Sequence, residues 1–253
     1  MARLEGKCAV ITGATSGIGE ATAIMFVKEG AKVVCTGRNQ EKGDALVAKI
    51  TEAGGEGYFI ACDMRNKNDV SRLRDFTMEK LGKIDVLMNC AGVLVHKPFL
   101  EQTDEDFDFV MQTNLRAYVW TMQAFLPEME AAGSGSIINV ASISAFWPEL
   151  NAYFYGCSKA AVANLSMNVA AEYAKKGIRI NTIEPGPILT GMTPKEVAEH
   201  PDEFAAGICP LGRIGVPDDI AYAATYFASD ESQWVTASEL AIDGGVHICN
   251  VAL

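Results

Sequence analysis

The sequence predicts an α/β fold, a doubly wound parallel β-sheet of about seven strands with helices on both faces. Three observations predict it. Short apolar, β-branched runs alternate with longer amphipathic stretches through most of the chain. A glycine-rich turn joins the first of these runs directly to the first helical stretch. No internal repeat, low-complexity tract or Pro/Ser-rich linker divides the 253 residues, so residues 1–253 are expected to form one domain with a sizeable core.

The expected strands are residues 8–12, 32–36, 57–61, 84–88, 136–141, 179–183 and 239–242. Between them the pattern is helical at 17–29, 40–53, 67–81, 104–131, 153–176 and 217–228. Strands that alternate with helices pair in parallel through right-handed crossovers. The first helix stops at Gly30 after Lys28, and the helix from 153 stops at Gly177 after Lys175 and Lys176. Both stops put cations in the last turn and glycine beyond it. The helix from 104 starts at Thr103-Asp104-Glu105-Asp106, a capping residue followed by acids that complement the helix dipole. Residues 186–215 hold four prolines and little periodicity, and are expected to form a mobile insertion of the kind that acts as a lid or binding loop.

Apolar residues at 49% and charged residues at 21% are ordinary for a soluble globular protein, and a net charge of −11 opposes binding to nucleic acid or anionic membrane surfaces. The cysteines (Cys8, Cys35, Cys62, Cys90, Cys157, Cys209 and Cys249) are odd in number, and the first four sit in or beside apolar runs. Without a close Cys-x-x-Cys or Cys/His cluster, neither a disulfide framework nor a zinc or other metal site is expected. His96, His200 and His247 are far apart in sequence and read as surface or pocket residues. The N-terminal residues lack the apolar core of a secretory signal, and no run of about 20 apolar residues could span a bilayer. A reduced, cytoplasmic compartment is expected.

The glycine turn reads Thr12-Gly13-Ala14-Thr15-Ser16-Gly17-Ile18-Gly19. A strand, a glycine turn and a helix in that order let a pyrophosphate approach backbone N–H groups at a helix N-terminus, where the dipole favours anions. Its spacing is Gly-x-x-x-Gly-x-Gly rather than Gly-x-Gly-x-x-Gly, and a purely structural turn is the alternative. The second strand ends Cys35-Thr36-Gly37-Arg38-Asn39. An acid there would accept hydrogen bonds from a free ribose 2′-hydroxyl; none is present, and the Arg38 fork suits a 2′-phosphate unless it is a solvated loop residue. NADP(H) is therefore preferred, with NAD(H) second. Asp63, after the third strand, either accepts a hydrogen bond from the adenine amino group or caps the following helix. Asn89-Cys90-Ala91-Gly92, after the fourth strand, is small enough to let backbone approach a ribose or is a plain turn.

Tyr155-Gly156-Cys157-Ser158-Lys159 sets a phenol and an ammonium on one helix face, with Ser142 thirteen residues upstream. A Lys⁺ beside a tyrosine is expected to draw the phenol pKa down and permit proton exchange near neutral pH. Taken alone, such a pair is also what an ordinary surface i,i+4 contact looks like.

These pieces together resemble the short-chain dehydrogenase/reductase family over essentially the whole chain, with its Rossmann-like sheet. The resemblance rests on Thr12–Gly19, Asp63, Asn89–Gly92, Asn114 in Thr113-Asn114-Leu115, Ser142 after Ile138-Asn139-Val140-Ala141, Tyr155 with Lys159, Pro185-Gly186 followed by Thr190, and the closing Asp243-Gly244-Gly245. It implies that Tyr155 exchanges a proton with the substrate oxygen while the nicotinamide exchanges hydride. Lys159 would lower the pKa of Tyr155 and hold the nicotinamide ribose, Ser142 would hydrogen-bond the substrate oxygen, and Asn114 would position a water between Lys159 and solvent. The cofactor contacts implied are Gly13, Thr15, Ser16, Gly17, Ile18, Gly37, Arg38, Asp63, Met64, Cys90, Ala91, Gly92, Tyr155, Lys159, Pro185, Gly186, Ile188 and Thr190, the last two at the carboxamide. Cys90 replaces the family's second asparagine, which puts local sheet hydrogen bonding in doubt. Tyr153 is a rival tyrosine, but Cys157 stands at its i+4 position and it reads as a pocket-wall aromatic.

The substrate is read from the pocket wall. Residues 145–150 and Val93-Leu94-Val95 are bulky and apolar and suit a large hydrophobic alcohol or ketone. An acidic acyl carrier would want a basic patch at the mouth, whereas residues 128–135, expected there, carry two acids and no base, with Lys175 and Lys176 nearby. Residues 170–179 and the stretch near Trp234 look similar to bacterial hydroxysteroid dehydrogenases that act on bile acids. A hydroxysteroid or bile-acid dehydrogenase is thus the first expectation. A 3-oxoacyl reductase or a sugar/polyol dehydrogenase is the second, and a non-catalytic nucleotide-binding regulator is the alternative from another class. Ala, Val and Met on more than one side of the two long helices point to a homo-oligomer, a tetramer or else a dimer.

Overall fold

The computed structural model describes residues 2–248; Cys249 lies outside the described residues. Its seven strands are β1 (Cys8–Thr12), β2 (Lys32–Gly37), β3 (Gly57–Ala61), β4 (Val86–Asn89), β5 (Gly135–Val140), β6 (Ile178–Pro185) and β7 (Glu239–Ile242). They form one sheet in the order β3-β2-β1-β4-β5-β6-β7, and every pairing is parallel. The order reverses between β1 and β4, so a crevice opens there at the carboxyl ends of the strands.

Burial on both faces explains why central strands such as β1 and β4 read as near-continuous apolar runs. Successive side chains point to opposite faces. Ala9, Ile11, Val33, Cys35, Met88 and Ile138 enter one core beside Phe26, Leu46 and Phe227. Val10, Val34, Leu87 and Ile137 enter the other beside Leu73, Phe125, Met129 and Val162. The first core is closed by helices α1 (Gly17–Lys28), α2 (Gln40–Glu52) and α9 (Pro217–Ala228), and the second by α3 (Lys67–Leu81), α5 (Ala117–Ala132) and α6 (Tyr153–Tyr173).

Three expected elements differ in the structure. The helix expected over 104–131 is broken into α4 (Asp104–Met111), a π-helical turn (Gln112–Arg116) and α5. The wider turn sets Thr113 and Asn114 inward, and apolar periodicity does not reveal it because both flanking segments remain helical. The helix from 153 ends at Tyr173, and a 3₁₀ turn (Ala174–Lys176) leads to Gly177 at φ +78°. Residues 186–215 carry two short helices, α7 (Lys195–Glu199) and α8 (Pro201–Ile208). Pro194 precedes α7 and Pro201 starts α8, so prolines that look like loop markers act here as helix starts. Val197, Phe204, Ala205 and Ile208 build a small third core with Ile143, Trp147 and Val246.

The carboxyl end of β6 holds one conspicuous group. Glu184 is 2% exposed, its Oε1 has no hydrogen-bond partner, and burial, aided by Glu239, pushes its carboxyl up to about 7. Folding raises this pKa above the ordinary carboxyl value, so its contribution to stability is intact below about pH 4.5 and is lost as pH rises through about 7. Glu184→Gln keeps a neutral shape. It is expected to leave urea-unfolding stability unchanged near pH 4.5 and to raise it by about 1–3 kcal/mol at pH 8; equal stability of the two chains at both pH values would contradict the assignment.

Candidate active site

The crevice between β1 and β4 is closed at its base by one hydroxyl. Thr12 Oγ1, at the end of β1, accepts hydrogen bonds from the amides of Cys90 (3.0 Å) and Ala91 (3.2 Å), which draws the chain after β4 against the glycine turn. Gly13 sits at φ +67°, and a Cβ there would lie 2.7 Å from the Ala91 Cα. A Cβ on Gly19 would strike the Gly13 carbonyl oxygen, so the helix can pack on the turn only with glycine at that position. Ser16 caps α1 in an extended conformation with no side-chain cap bond. The first-turn amides of α1 therefore depend on a partner from outside the helix. Thr15 lies against Gly37, and the Thr190 methyl lies against Gly17. The fold thus brings Gly13, Thr15, Ser16, Gly17, Ile18, Gly37, Ala91, Gly92 and Thr190 to one crevice. This cradle, with no side-chain cap on the helix start and no room for a Cβ at Gly13 or Gly19, fits the pyrophosphate of a dinucleotide.

At the far end of the crevice Arg38 is exposed, belongs to none of the ion pairs among the described residues, and borders a cavity of about 270 Å³ with Cys62, Asp63 and Asp69. The two acids are already matched. Arg65 grips Asp63 in a fork (2.6 Å) and holds its carboxyl below the usual range, and Asp69 pairs with Arg72 (2.8 Å). Asp63 does not cap the next helix; Asn66 does, accepting from the amide of Asn68. Met64 is 5% exposed and its side chain packs into the second core, so it offers no side-chain contact to the crevice.

Ser142 follows β5 and starts a 3₁₀ turn (Ile143–Ala145) by accepting from the Ser144 amide at 3.1 Å. Tyr155 and Lys159 lie one turn apart on α6. Lys159 is 3% exposed; its Nζ donates to the Val140 carbonyl (2.8 Å) and sits 5.6 Å from the centre of the Tyr155 ring. Burial pulls Lys159 down to about 8 and pushes the Tyr155 phenol up to about 12, with Ser142 opposing that rise and Glu149 and Cys90 adding to it. The expected lowering of the phenol by Lys159 is therefore not seen in the chain by itself. The ammonium is engaged by Val140, and desolvation outweighs its charge.

Asn114 is fully buried in the π-helical turn. Its Oδ1 accepts from the Val93 amide (2.8 Å), and its Nδ2 donates to the Val93 carbonyl (2.9 Å) and to Ser158 Oγ (3.0 Å). A Cβ on Gly92 would lie 3.6 Å from both Asn114 Oδ1 and Lys159 Nζ, so the two side chains converge beside Gly92. Asn114 thus clasps the pocket wall as well as facing Lys159. Cys90 leaves the sheet intact, because the tie between β4 and β5 is made one residue earlier, where Asn89 Nδ2 donates to Asn139 Oδ1 (2.8 Å). The Cys90 thiol is pushed by burial up to about 11. Tyr153 meets Phe99 edge-on at 5.2 Å, in keeping with a wall aromatic.

Other expected residues are placed as follows. Pro185 ends β6, Gly186 packs against Asp243, and Ile188 bridges Gly215 under the Thr190 turn. Residues 128–135 lead into the amino end of β5, opposite the end that holds Ser142, so they do not form the mouth of the site. There Glu130 pairs with Lys176 (2.9 Å). Trp234, 99% exposed, also lies at that end, beside a cavity of about 440 Å³ bordered by Lys7, Asp85 and Arg179. His96 and His200 are exposed, whereas His247 Nδ1 meets Asp243 Oδ2 at 2.6 Å. Sequence reasoning missed the hydrogen bonds that run from Ser142 through Ser144 to Glu149. The signal available was a second serine two residues after the first, with an acid five residues further on.

Comparison with known proteins agrees with this geometry. The family profile described as Enoyl-(Acyl carrier protein) reductase matches residues 13–247. The chain is 37% identical to 7alpha-hydroxysteroid dehydrogenase of Escherichia coli (strain K12), over 96% of this chain and 95% of that protein. It is 36% identical to the 3-oxoacyl-[acyl-carrier-protein] reductase FabG of Thermotoga maritima, over 97% of this chain and 100% of that protein. Among solved structures, a 7 alpha-hydroxysteroid dehydrogenase complexed with NADH and 7-oxo glycochenodeoxycholic acid superposes with a TM-score of 0.91 at 37% identity, covering 96% of this chain and 95% of that one.

The Asn114 clasp has a measurable consequence. Asn114→Ala removes three hydrogen bonds and leaves the Val93 amide and carbonyl unmatched beside Ser158, and is expected to lower urea-unfolding stability by about 1–3 kcal/mol. Wild-type stability in that variant would contradict the clasp.

Proposed function

This chain belongs to the short-chain dehydrogenase/reductase family, and on that premise we propose that Ser142, Tyr155, Lys159 and Asn114 interconvert a secondary alcohol and a ketone by hydride exchange with a nicotinamide dinucleotide. The observation that carries this reading is the convergence of these four side chains at the carboxyl end of the sheet, beside a glycine turn whose backbone is open to a pyrophosphate. The bound nicotinamide supplies or accepts the hydride. In ketone reduction the carbonyl carbon takes that hydride and its oxygen takes the phenolic proton of Tyr155; oxidation runs the same transfers in reverse. A phenol raised to about 12 is a stable proton donor at neutral pH. Ser142 steadies the substrate oxygen, and Lys159, charged below about pH 8, supports the phenolate that reduction leaves. Pro185, Gly186, Ile188 and Thr190 hold the nicotinamide end, and Arg38 the ribose end.

The proposed substrate class is a hydroxysteroid or bile acid. The segments that follow β5 and β6 expose Phe146, Leu150, Met192 and Leu211, which suits a rigid apolar ring system. A 3-oxoacyl reductase is the second reading, favoured by the 36% identity to the Thermotoga maritima reductase. The Glu149 carboxylate, which belongs to none of the ion pairs among the described residues, and a net charge of −11 speak against docking an acidic carrier. For a nucleotide-binding regulator there is no such support, since all four catalytic positions are filled. We further propose NADP(H) as the preferred cofactor, because no acid stands beside Arg38 unpaired. A homo-oligomer, a tetramer or else a dimer, is proposed from the apolar side chains exposed on α6 (Met167), α9 (Tyr222) and β7 (Leu240). A cytoplasmic location is proposed from six cysteines that are all unpaired among the described residues. No helix among those residues is long and apolar enough to cross a membrane.

NADPH and NADH oxidation across keto-steroids, keto-bile acids, acyl thioesters and sugars tests the substrate class: turnover of the keto-bile acids is expected, and turnover confined to acyl thioesters would favour the second reading. Tyr155→Phe should lower kcat by about 10²–10⁴-fold while NADPH affinity changes little; retained turnover would sink the acid/base assignment. Arg38→Ala should weaken NADPH about 10–100-fold and NADH far less, by fluorescence titration. Equal losses would mean that Arg38 does not read the 2′-phosphate.

A further inference from the structure

We propose that Gln102 is a positioning residue that sets the room for substrate over Tyr155 and Lys159, by strapping the segment after β4 to the segment that leads into α6. The inference deepens the alcohol/ketone reading given above and rests on it. Gln102 follows a 3₁₀ turn (Phe99–Glu101) and is half-buried. Its Nε2 donates to the Lys97 carbonyl at 3.0 Å and to the Asn151 carbonyl at 3.2 Å. A primary amide nitrogen carries two protons, so one side chain can serve two carbonyls. Both partners only accept, which fixes the amide with its nitrogen towards them. The Lys97 amide donates to the same Asn151 carbonyl at 2.9 Å, so residues 97 and 151 are joined directly and again through Gln102. Gln102 Oε1 has no partner among the described residues, and the strap is therefore all that this side-chain amide holds.

Both ends of the strapped segment belong to the site. At one end Asn114 holds Val93, one residue beyond the point where Asn114 and Lys159 converge beside Gly92. At the other, Asn151 stands two residues before α6, the helix whose first turn carries Tyr155. Leu94, Val95 and His96 are thus a three-residue span fixed at both ends, running from beside Lys159 to the start of the tyrosine's helix. So short a span has little slack. Asn151 sits at φ +64°, a left-handed conformation that asparagine adopts more readily than most residues, and its carbonyl accepts both donors from the opposite segment. Those two are the hydrogen bonds that join residues 93–102 to residues 147–152 among the described residues. Phe99 meets Tyr153 edge-on at 5.2 Å across the same gap, and Lys97 Nζ reaches Asp106 Oδ2 (2.6 Å) on α4. Removing the Gln102 amide leaves the gap closed by one hydrogen bond and an aromatic contact, so the wall over the reacting side chains can widen.

The test compares the full chain with Gln102→Met, which keeps the length but donates nothing, and with Gln102→Glu, which sets an acceptor against two carbonyls. Steady-state reduction of a 7-oxo bile acid by NADPH should show KM raised about 5–30-fold in Gln102→Met and further in Gln102→Glu, with kcat within about 2-fold of wild type and NADPH affinity unchanged. Amide hydrogen exchange, measured without substrate, should quicken about 10-fold at Lys97 in both variants and stay unchanged at Val93, which Asn114 holds. Wild-type exchange at Lys97 in Gln102→Met would overturn the strap. Faster exchange with an unchanged KM would overturn its role in the pocket, as would a parallel loss of kcat and NADPH affinity, which marks a general collapse of the site. Failure of the underlying reading shows separately, as absence of wild-type turnover with any ketone or full activity in Tyr155→Phe.

Discussion

The whole site depends on the side-by-side placement of β1 and β4, fastened by the Thr12 hydroxyl to the amides of Cys90 and Ala91. Strand order reverses at this seam, so the chain after β1 and the chain after β4 leave the sheet in diverging directions and a crevice opens between them. The seam is tight enough that Gly13 has no room for a Cβ against Ala91. That closeness lets one ligand touch the turn before α1 and the strand end before Gly92 together. The same strand end carries Val93, which Asn114 holds, and Asn114 in turn reaches Ser158 and the neighbourhood of Lys159. The glycine turn and the proposed reacting side chains are therefore positioned by one continuous set of contacts.

Within that frame burial, more than charge, sets the chemistry. Lys159 and Tyr155 are neighbours of opposite electrostatic preference, yet desolvation moves one down to about 8 and the other up to about 12. Each shift favours the neutral form, as a low-dielectric surrounding should. A protonated phenol and a weakly held ammonium suit proton donation to a carbonyl oxygen. The return step, forming phenolate, is where Lys159 and Ser142 are proposed to have their influence, with Glu149 opposing it.

Much of this was legible in the sequence, for identifiable reasons. All seven strands were, because the inner ones fill a core on both sides and all carry a short apolar, β-branched core; their ends differ by a residue or two where side chains such as Asp85 take over from the ladder, accepting from the Cys8 amide. The glycine turn and the Tyr155/Lys159 pair were legible because their spacing is dictated by helix and turn geometry. The π-helical turn at Asn114 was not, since a bulge that adds less than a turn leaves the flanking apolar pattern helical. The helices in residues 186–215 were hidden by prolines that start them. The direction of the phenol shift was misjudged, because sequence shows that a lysine is near but not that Val140 engages it. The supposed mouth at residues 128–135 failed on topology, as that segment feeds the amino end of β5.

The central claim, that the crevice and the tyrosine act on one substrate carbon and oxygen, is tested most directly by isotope transfer. The chain is incubated with NADPH carrying deuterium at the transferred position of the nicotinamide and with a 7-oxo bile acid, and the product is examined by mass spectrometry. The account predicts one deuterium on the new carbinol carbon, in a single configuration. A product free of deuterium, or nucleotide binding with no reduced product from that ketone or any other hydrophobic ketone, would contradict it.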